Sequence, residues 1–170
     1  MAFNGSAVGA RAWMVAGTLA LATPSLALAE DEVPCIAISG ELRSQAVPTP
    51  PCTSPIGLCT TGEFSGSFPA QFDFRGDAIS AIDPSQPFLQ QYTGDVTLTT
   101  DDGDQVFSRS AGVINTDPES RGEVADFGSI RGGTGRFQGA RGALLIVGTF
   151  SFATGTGSSR YAGTVCAPGL

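Results

Sequence analysis

No histidine and no lysine occur anywhere in this sequence, so its reactive side chains are sixteen carboxylates, nine arginines and four cysteines. Without imidazole there is no Ser-His-Asp triad, no histidine-ligated zinc and no histidine acid–base catalysis. Paired carboxylates remain for acid–base work. The densest acids, Asp101-Asp102-Gly103-Asp104, offer oxygens to calcium, but the other ligands of an EF-hand are missing, and a solvated hairpin tip is the better account. Arg75-Gly76-Asp77 spells an adhesion tripeptide, yet short tripeptides recur by chance and this one reads as a turn. The Gly-rich stretch from Gly132 to Gly142 fails as a phosphate loop. In dinucleotide spacing from Gly133 the third glycine is replaced by Gln138, and a P-loop needs a lysine. The expectation is no cofactor and no metal.

The cysteines point to structure. Cys35, Cys52, Cys59 and Cys166 form an even set with no Cys-x-x-Cys pair, which disfavours a four-thiolate metal site. Three disulfide pairings are open. Cys52–Cys59, closing a small loop, with Cys35–Cys166, tying the first strand to the last, is favoured.

An oxidising compartment agrees with the N-terminus. Arg11 precedes an apolar, Ala-rich run over residues 12–22 that is short for a bilayer span. Pro24 breaks it, and Ala27-Leu28-Ala29 supplies the small residues of a cleavage site, with acids from Glu30 onward. Residues 1–29 are expected to be a secretory signal peptide and 30–170 a single domain, secreted to the periplasm or the exterior. That domain holds eight arginines against sixteen acids, a net charge of −8. Such a balance disfavours nucleic acid and anionic membrane, both of which need clustered positive charge. No later apolar run approaches the length of a membrane helix, so no membrane contact is expected after cleavage.

The elements that must position these groups read as strands. Phe64, Phe68, Phe72 and Phe74 share one face of a period-two pattern over Phe64–Phe74, with Pro69 marking a bulge or an unpaired site. Further strands are expected at 36–42, 78–82, 95–100, 105–114, 123–130, 143–152 and 161–166, separated by turn residues that include Arg75-Gly76-Asp77. Short strands at regular spacing without amphipathic helices predict a sandwich or an antiparallel barrel. At eight strands, a barrel interior is either filled by side chains or holds one small ligand. Residues 45–61 differ, with four prolines and a cysteine pair, and read as a stiffened loop that covers or shapes one barrel end.

Gly132, Gly133, Gly135, Phe137, Gly139 and Gly142 lie between two strand-like runs. This pattern resembles one shared by allene oxide cyclases, dirigent proteins and their bacterial barrel-like relatives. Tyr92-Thr93-Gly94-Asp95 at a strand opening agrees, and the likeness covers residues 90–166. It implies an all-β fold, an eight-stranded antiparallel barrel stapled here by disulfides, with trimers or dimers among the plant members and so a potential homo-oligomer. The glycines would allow a tight turn, Phe137 would plug a barrel end, and Arg136 and Arg141 could pair with carboxylates at the rim. Dirigent sites use paired acids with an arginine inside the barrel, which makes Glu41, Arg43, Asp73, Asp95 and Glu123 the candidates here.

Three functions follow as expectations. The barrel binds a small hydrophobic molecule against Phe64, Phe68, Phe72 and Phe74; or it is a filled structural or interaction module, those phenylalanines being plain core; or, ranked behind these, it is a cofactor-free isomerase or cyclase, or a dirigent-like protein, acting by confinement. Cavity volume and the direction of Glu41, Asp73 and Asp95 discriminate among them.

Overall fold

The computed structural model describes residues 33–170, and the expected signal peptide at 1–29 lies outside the described residues. Within them the chain runs through eight strands: β1 (Cys35–Ala46), β2 (Cys59–Gly66), β3 (Ala70–Asp83), β4 (Gln86–Thr99), β5 (Gln105–Asn115), β6 (Glu123–Gly133), β7 (Arg141–Ser151) and β8 (Thr156–Cys166). Each pairs antiparallel with the next, and β8 returns beside β1, where Cys35 faces Cys166 and Gln45 faces Thr156. Closure leaves no strand edge unpaired. The fold is all-β, an eight-stranded antiparallel barrel.

The count of eight agrees with the sequence, but two strands were drawn wrongly. Phe64–Phe74 is not one strand: the chain reverses over 67–69, between β2 and β3. Gly66 takes a φ of +109°, and Pro69 has no N–H to contribute to a ladder. The phenylalanine alternation survives the reversal because Phe64 pairs with Ala70, so even-numbered residues face inward on both strands. Conversely, Arg75-Gly76-Asp77 is not a turn. It lies inside β3, where the register shifts between Gly76 and Ala78 and Asp77 is the extra residue of a bulge. The expected strand at 78–82 is therefore the far half of β3, and β4 starts at Gln86, well before the expected 95. One strand too few and one too many cancel.

The turns 67–69, 100–104 and 134–140 gather at one end of the barrel, and 47–58, 84–85, 116–122 and 152–155 gather at the other. The first end is sealed. A 3-10 turn, Gly135–Phe137, points Phe137 into the barrel, where it is 1% exposed and meets Phe68 edge-on at 5.6 Å. Gly135 (φ +54°) and Gly139 (φ +72°) hold backbone conformations that disfavour any side chain, and a Cβ on Gly135 would sit 1.7 Å from Asp104 Oδ1. Arg136 lies 3.5 Å from Asp102 and 3.8 Å from Asp104, so the acidic hairpin tip is bound to the plug. Leu98, Val106, Ile130, Leu144 and Val165 fill the barrel above it. Tyr161 is buried with its hydroxyl used: it donates to Ser65 O (3.1 Å) and accepts from the Phe68 N–H (3.3 Å), fastening β8 to the β2–β3 turn.

Two disulfides, Cys35–Cys166 and Cys52–Cys59, are present. Such bonds persist in oxidising compartments. In the chain-entropy account their loops, separated by 131 and 7 residues, contribute about 5 and about 2 kcal/mol respectively. The second braces the loop at the other barrel end, which spans 47–58 because β1 and β2 extend into the ends of the expected 45–61 segment. Ser54 Oγ donates to Gly76 O at 2.6 Å, and the Gly76 N–H donates to Leu58 O at 2.8 Å. The loop is thereby fixed to β3.

Candidate functional site

Above the packed layer the barrel is not full. A cavity of about 130 Å³ lies toward the end carrying the braced loop, and Leu58 from that loop forms part of its wall. Phe64, Phe72 and Phe74 line it, with Val96, Ile114 and Ile146 among the other apolar residues. Phe68 does not: it lies at the sealed end against Phe137. The stripe read from the sequence is thus divided, three rings bordering the cavity and one in the plug.

The cavity exists because glycines alternate with rings along the inner wall. Gly62 lies under Phe72 and Gly94 under Phe74, each so close that a Cβ would fall 2.8 Å and 2.4 Å from the ring. A third pairing places the only carboxylate that, among the described residues, lines this space. Tyr92 on β4, Gly112 on β5 and Asp126 on β6 stand in one row across three neighbouring strands. With no side chain at Gly112, the Tyr92 ring lies over it toward Asp126. A Cβ there would be 2.5 Å from the Tyr92 hydroxyl and 2.8 Å from Asp126 Oδ2. Phe74 meets the Tyr92 ring edge-on at 5.7 Å. Ser110, one inward position from Gly112, donates its hydroxyl to Asp126 Oδ1. Deeper on the same strand, Ser108 Oγ is buried without a hydrogen-bond partner.

Asp126 is 5% exposed and lines the cavity. Burial raises the Tyr92 hydroxyl well above the ordinary tyrosine value, with the Asp126 charge and the hydrogen bond to Asp126 adding to the effect. Tyr92 therefore stays a neutral O–H donor across the physiological range. The arrangement presents an acceptor-rich carboxyl group, a neutral phenol and a serine hydroxyl at one side of an apolar chamber. That set can orient a ligand's polar group by hydrogen bonding or exchange a proton with it.

The acids proposed from the resemblance are elsewhere. Glu41 and Arg43 on β1, Asp73 on β3, Asp95 on β4 and Glu123 on β6 all point outward to solvent, because each occupies the strand parity opposite to the inward residues. Asp95 joins Arg109 (3.2 Å), which also pairs with the bulge residue Asp77, in an ion-pair group on the outer wall. The Arg109 guanidinium, with a hydrogen bond from Thr93, holds the Asp77 carboxyl below the usual carboxylate range. Among the described residues no arginine lines the cavity, so the pairing of acids with an interior arginine does not occur.

Sequence reasoning missed Asp126 and Ser110, and took Tyr92 only as the start of a strand. A signal was present. Val124, Asp126, Gly128 and Ile130 alternate with Ala125, Phe127 and Ser129, so an acid sits at the parity of two inward aliphatic residues. Its misleading feature is Phe127, an outward aromatic that is 55% exposed. No family model matches this chain, and no curated protein or solved structure matches it either.

Proposed function

We propose that this protein is a secreted barrel of the allene oxide cyclase and dirigent-like kind that holds one small, mostly apolar molecule in its interior. The observation that carries the reading is the mostly apolar chamber in which Asp126, Tyr92 and Ser110 form one polar corner, with the hydroxyl residues Ser44, Thr60, Thr149 and Ser159 elsewhere on the wall. Apolar walls with a few convergent polar groups are the usual form of a small-molecule site. At about 130 Å³ the space is below the roughly 300–1,000 Å³ of drug-sized pockets and suits a fragment-sized ligand. The eight-stranded barrel and the Gly-rich turn seated by Phe137 support the family resemblance; the outward direction of Glu41, Asp73 and Asp95 counts against carrying over the family's chemistry. Secretion rests on the signal-like N-terminus and on the disulfides.

Native mass spectrometry of protein purified from its own secretion medium tests the reading. A reproducible added mass that leaves on denaturation is the expected result. Bare protein that also fails to bind the fragment-sized probe indole by ligand-observed NMR, when wild type is compared with the cavity-filling variant Val124→Trp, would refute it.

Asp126 favours one further reading, cofactor-free isomerisation or cyclisation of a confined substrate, with Asp126 exchanging a proton and Tyr92 orienting it. That reading predicts turnover of the co-purifying ligand which Asp126→Asn abolishes while binding persists; unchanged turnover in the variant would rule it out.

A further inference from the structure

The polar corner of the cavity contains no positive charge. Of the eight arginines in the described residues, Arg43, Arg75, Arg121, Arg131, Arg136, Arg141 and Arg160 are exposed at the surface, and Arg109 lies on the outer wall with Asp77 and Asp95. The sequence has no lysine and no histidine. Among the described residues Asp126 therefore has only neutral groups beside it, the Ser110 hydroxyl that donates to it and the Tyr92 phenol across Gly112, although a carboxylate offers about four lone-pair positions. A buried carboxylate that lacks a cationic partner is costly unless something supplies one.

From this we infer that the cavity selects small organic cations, molecules with a protonated amine on an apolar body, the ammonium seated at Asp126. The inference rests on the reading of the cavity as a ligand site and names the class of ligand it takes. Three effects favour an ammonium there. It makes charge-assisted hydrogen bonds to the remaining carboxylate lone pairs. The rings of Tyr92 and Phe74, edge-on to one another, line the same cavity as the acid, and aromatic rings attract cations. The surrounding net negative charge draws cations toward the barrel and repels anions. A carboxylate-bearing ligand of the same shape meets repulsion from Asp126, and an alcohol donates one hydrogen bond to it without forming an ion pair.

Isothermal titration of the oxidised, secreted protein with three ligands sharing one body separates these cases: 2-phenylethylamine, 2-phenylethanol and 3-phenylpropanoate, each at pH 7 and two salt concentrations. The amine is expected to bind tighter than the alcohol by on the order of tenfold, with the propanoate weakest. Asp126→Asn is expected to remove the preference for the amine and leave alcohol binding within about threefold. Equal or tighter binding of the alcohol or the propanoate by the wild type overturns the inference while leaving a ligand cavity in place. Retention of the amine preference by a folded Asp126→Asn protein overturns it as well. Should the variant not fold, the rank order in wild type decides alone. Failure of all three ligands and of indole to bind removes the cavity reading itself, and the inference with it.

Discussion

Replacing Gly112 by alanine tests how the polar corner is built. The backbone at Gly112 is ordinary strand, so alanine brings no conformational strain and should stabilise by roughly 0.4–1 kcal/mol through the unfolded chain. Against that, its Cβ falls 2.5 Å from the Tyr92 hydroxyl and Cζ, a contact that the ring, packed on Phe74, has to give up. Overpacking of this kind costs roughly 1–3 kcal/mol. The expected net loss is about 2 kcal/mol. In a Tyr92→Leu background the collision with the phenol is gone and the 2.8 Å contact with Asp126 Oδ2 remains, which a small turn of the carboxyl group relieves, so the same alanine is expected to be close to neutral. The coupling between the two positions is then about 2 kcal/mol. Urea unfolding of the oxidised protein, followed by far-ultraviolet circular dichroism because the sequence's only tryptophan, Trp13, falls in the expected signal peptide, reads this directly. At a slope of about 2 kcal/mol/M, Gly112→Ala moves the midpoint down by about 1 M in the native background only. An equal shift in both backgrounds would refute the account, because the alanine would then collide with something other than Tyr92.

Further outcomes follow from the rest of the barrel. Phe137→Ala empties the sealed end and is expected to cost about 3–5 kcal/mol, seen as a large fall in the urea midpoint; a shift near zero would show that the plug is not part of the cooperative unit. Stability should decline above the ordinary tyrosine value of 10.0, because the folded Tyr92 keeps its proton while the unfolded chain loses it. Each such tyrosine contributes a slope of up to about 1.4 kcal/mol per pH unit, so Tyr92→Phe should flatten the alkaline limb, leaving the smaller part due to Tyr161, whose hydroxyl is also raised, chiefly by burial. Paired serine substitution of Cys35 and Cys166 should lower the midpoint more than that of Cys52 and Cys59, by about 2–3 kcal/mol as the difference in loop entropy; the reverse order would contradict that account.

Legibility from sequence followed the range of the interaction. Period-two patterning and the even cysteine set are local or pairwise signals, so an all-β chain of short strands, a favoured cysteine pairing and the apolar role of Phe64, Phe72 and Phe74 could be read from the residues, whereas the count of eight agrees only because two boundary errors cancel. The Gly-rich segment likewise carried its own turn, with Phe137 at its centre. Strand boundaries were less legible: Gly-Asp reads the same in a bulge at Asp77 as in a hairpin, and Pro69 suits a turn as well as an irregular strand. Only ladder partners tell these apart. The direction of each acid needed the register of its strand, which is why Glu41, Asp73 and Asp95 were nominated while Asp126 was passed over. The polar corner itself belongs to no segment. It arises because the registers of the β4–β5 and β5–β6 hairpins place Gly112 between Tyr92 and Asp126, residues well separated along the chain. An empty position on one strand then becomes the space through which a phenol on the second strand reaches a carboxyl group on the third.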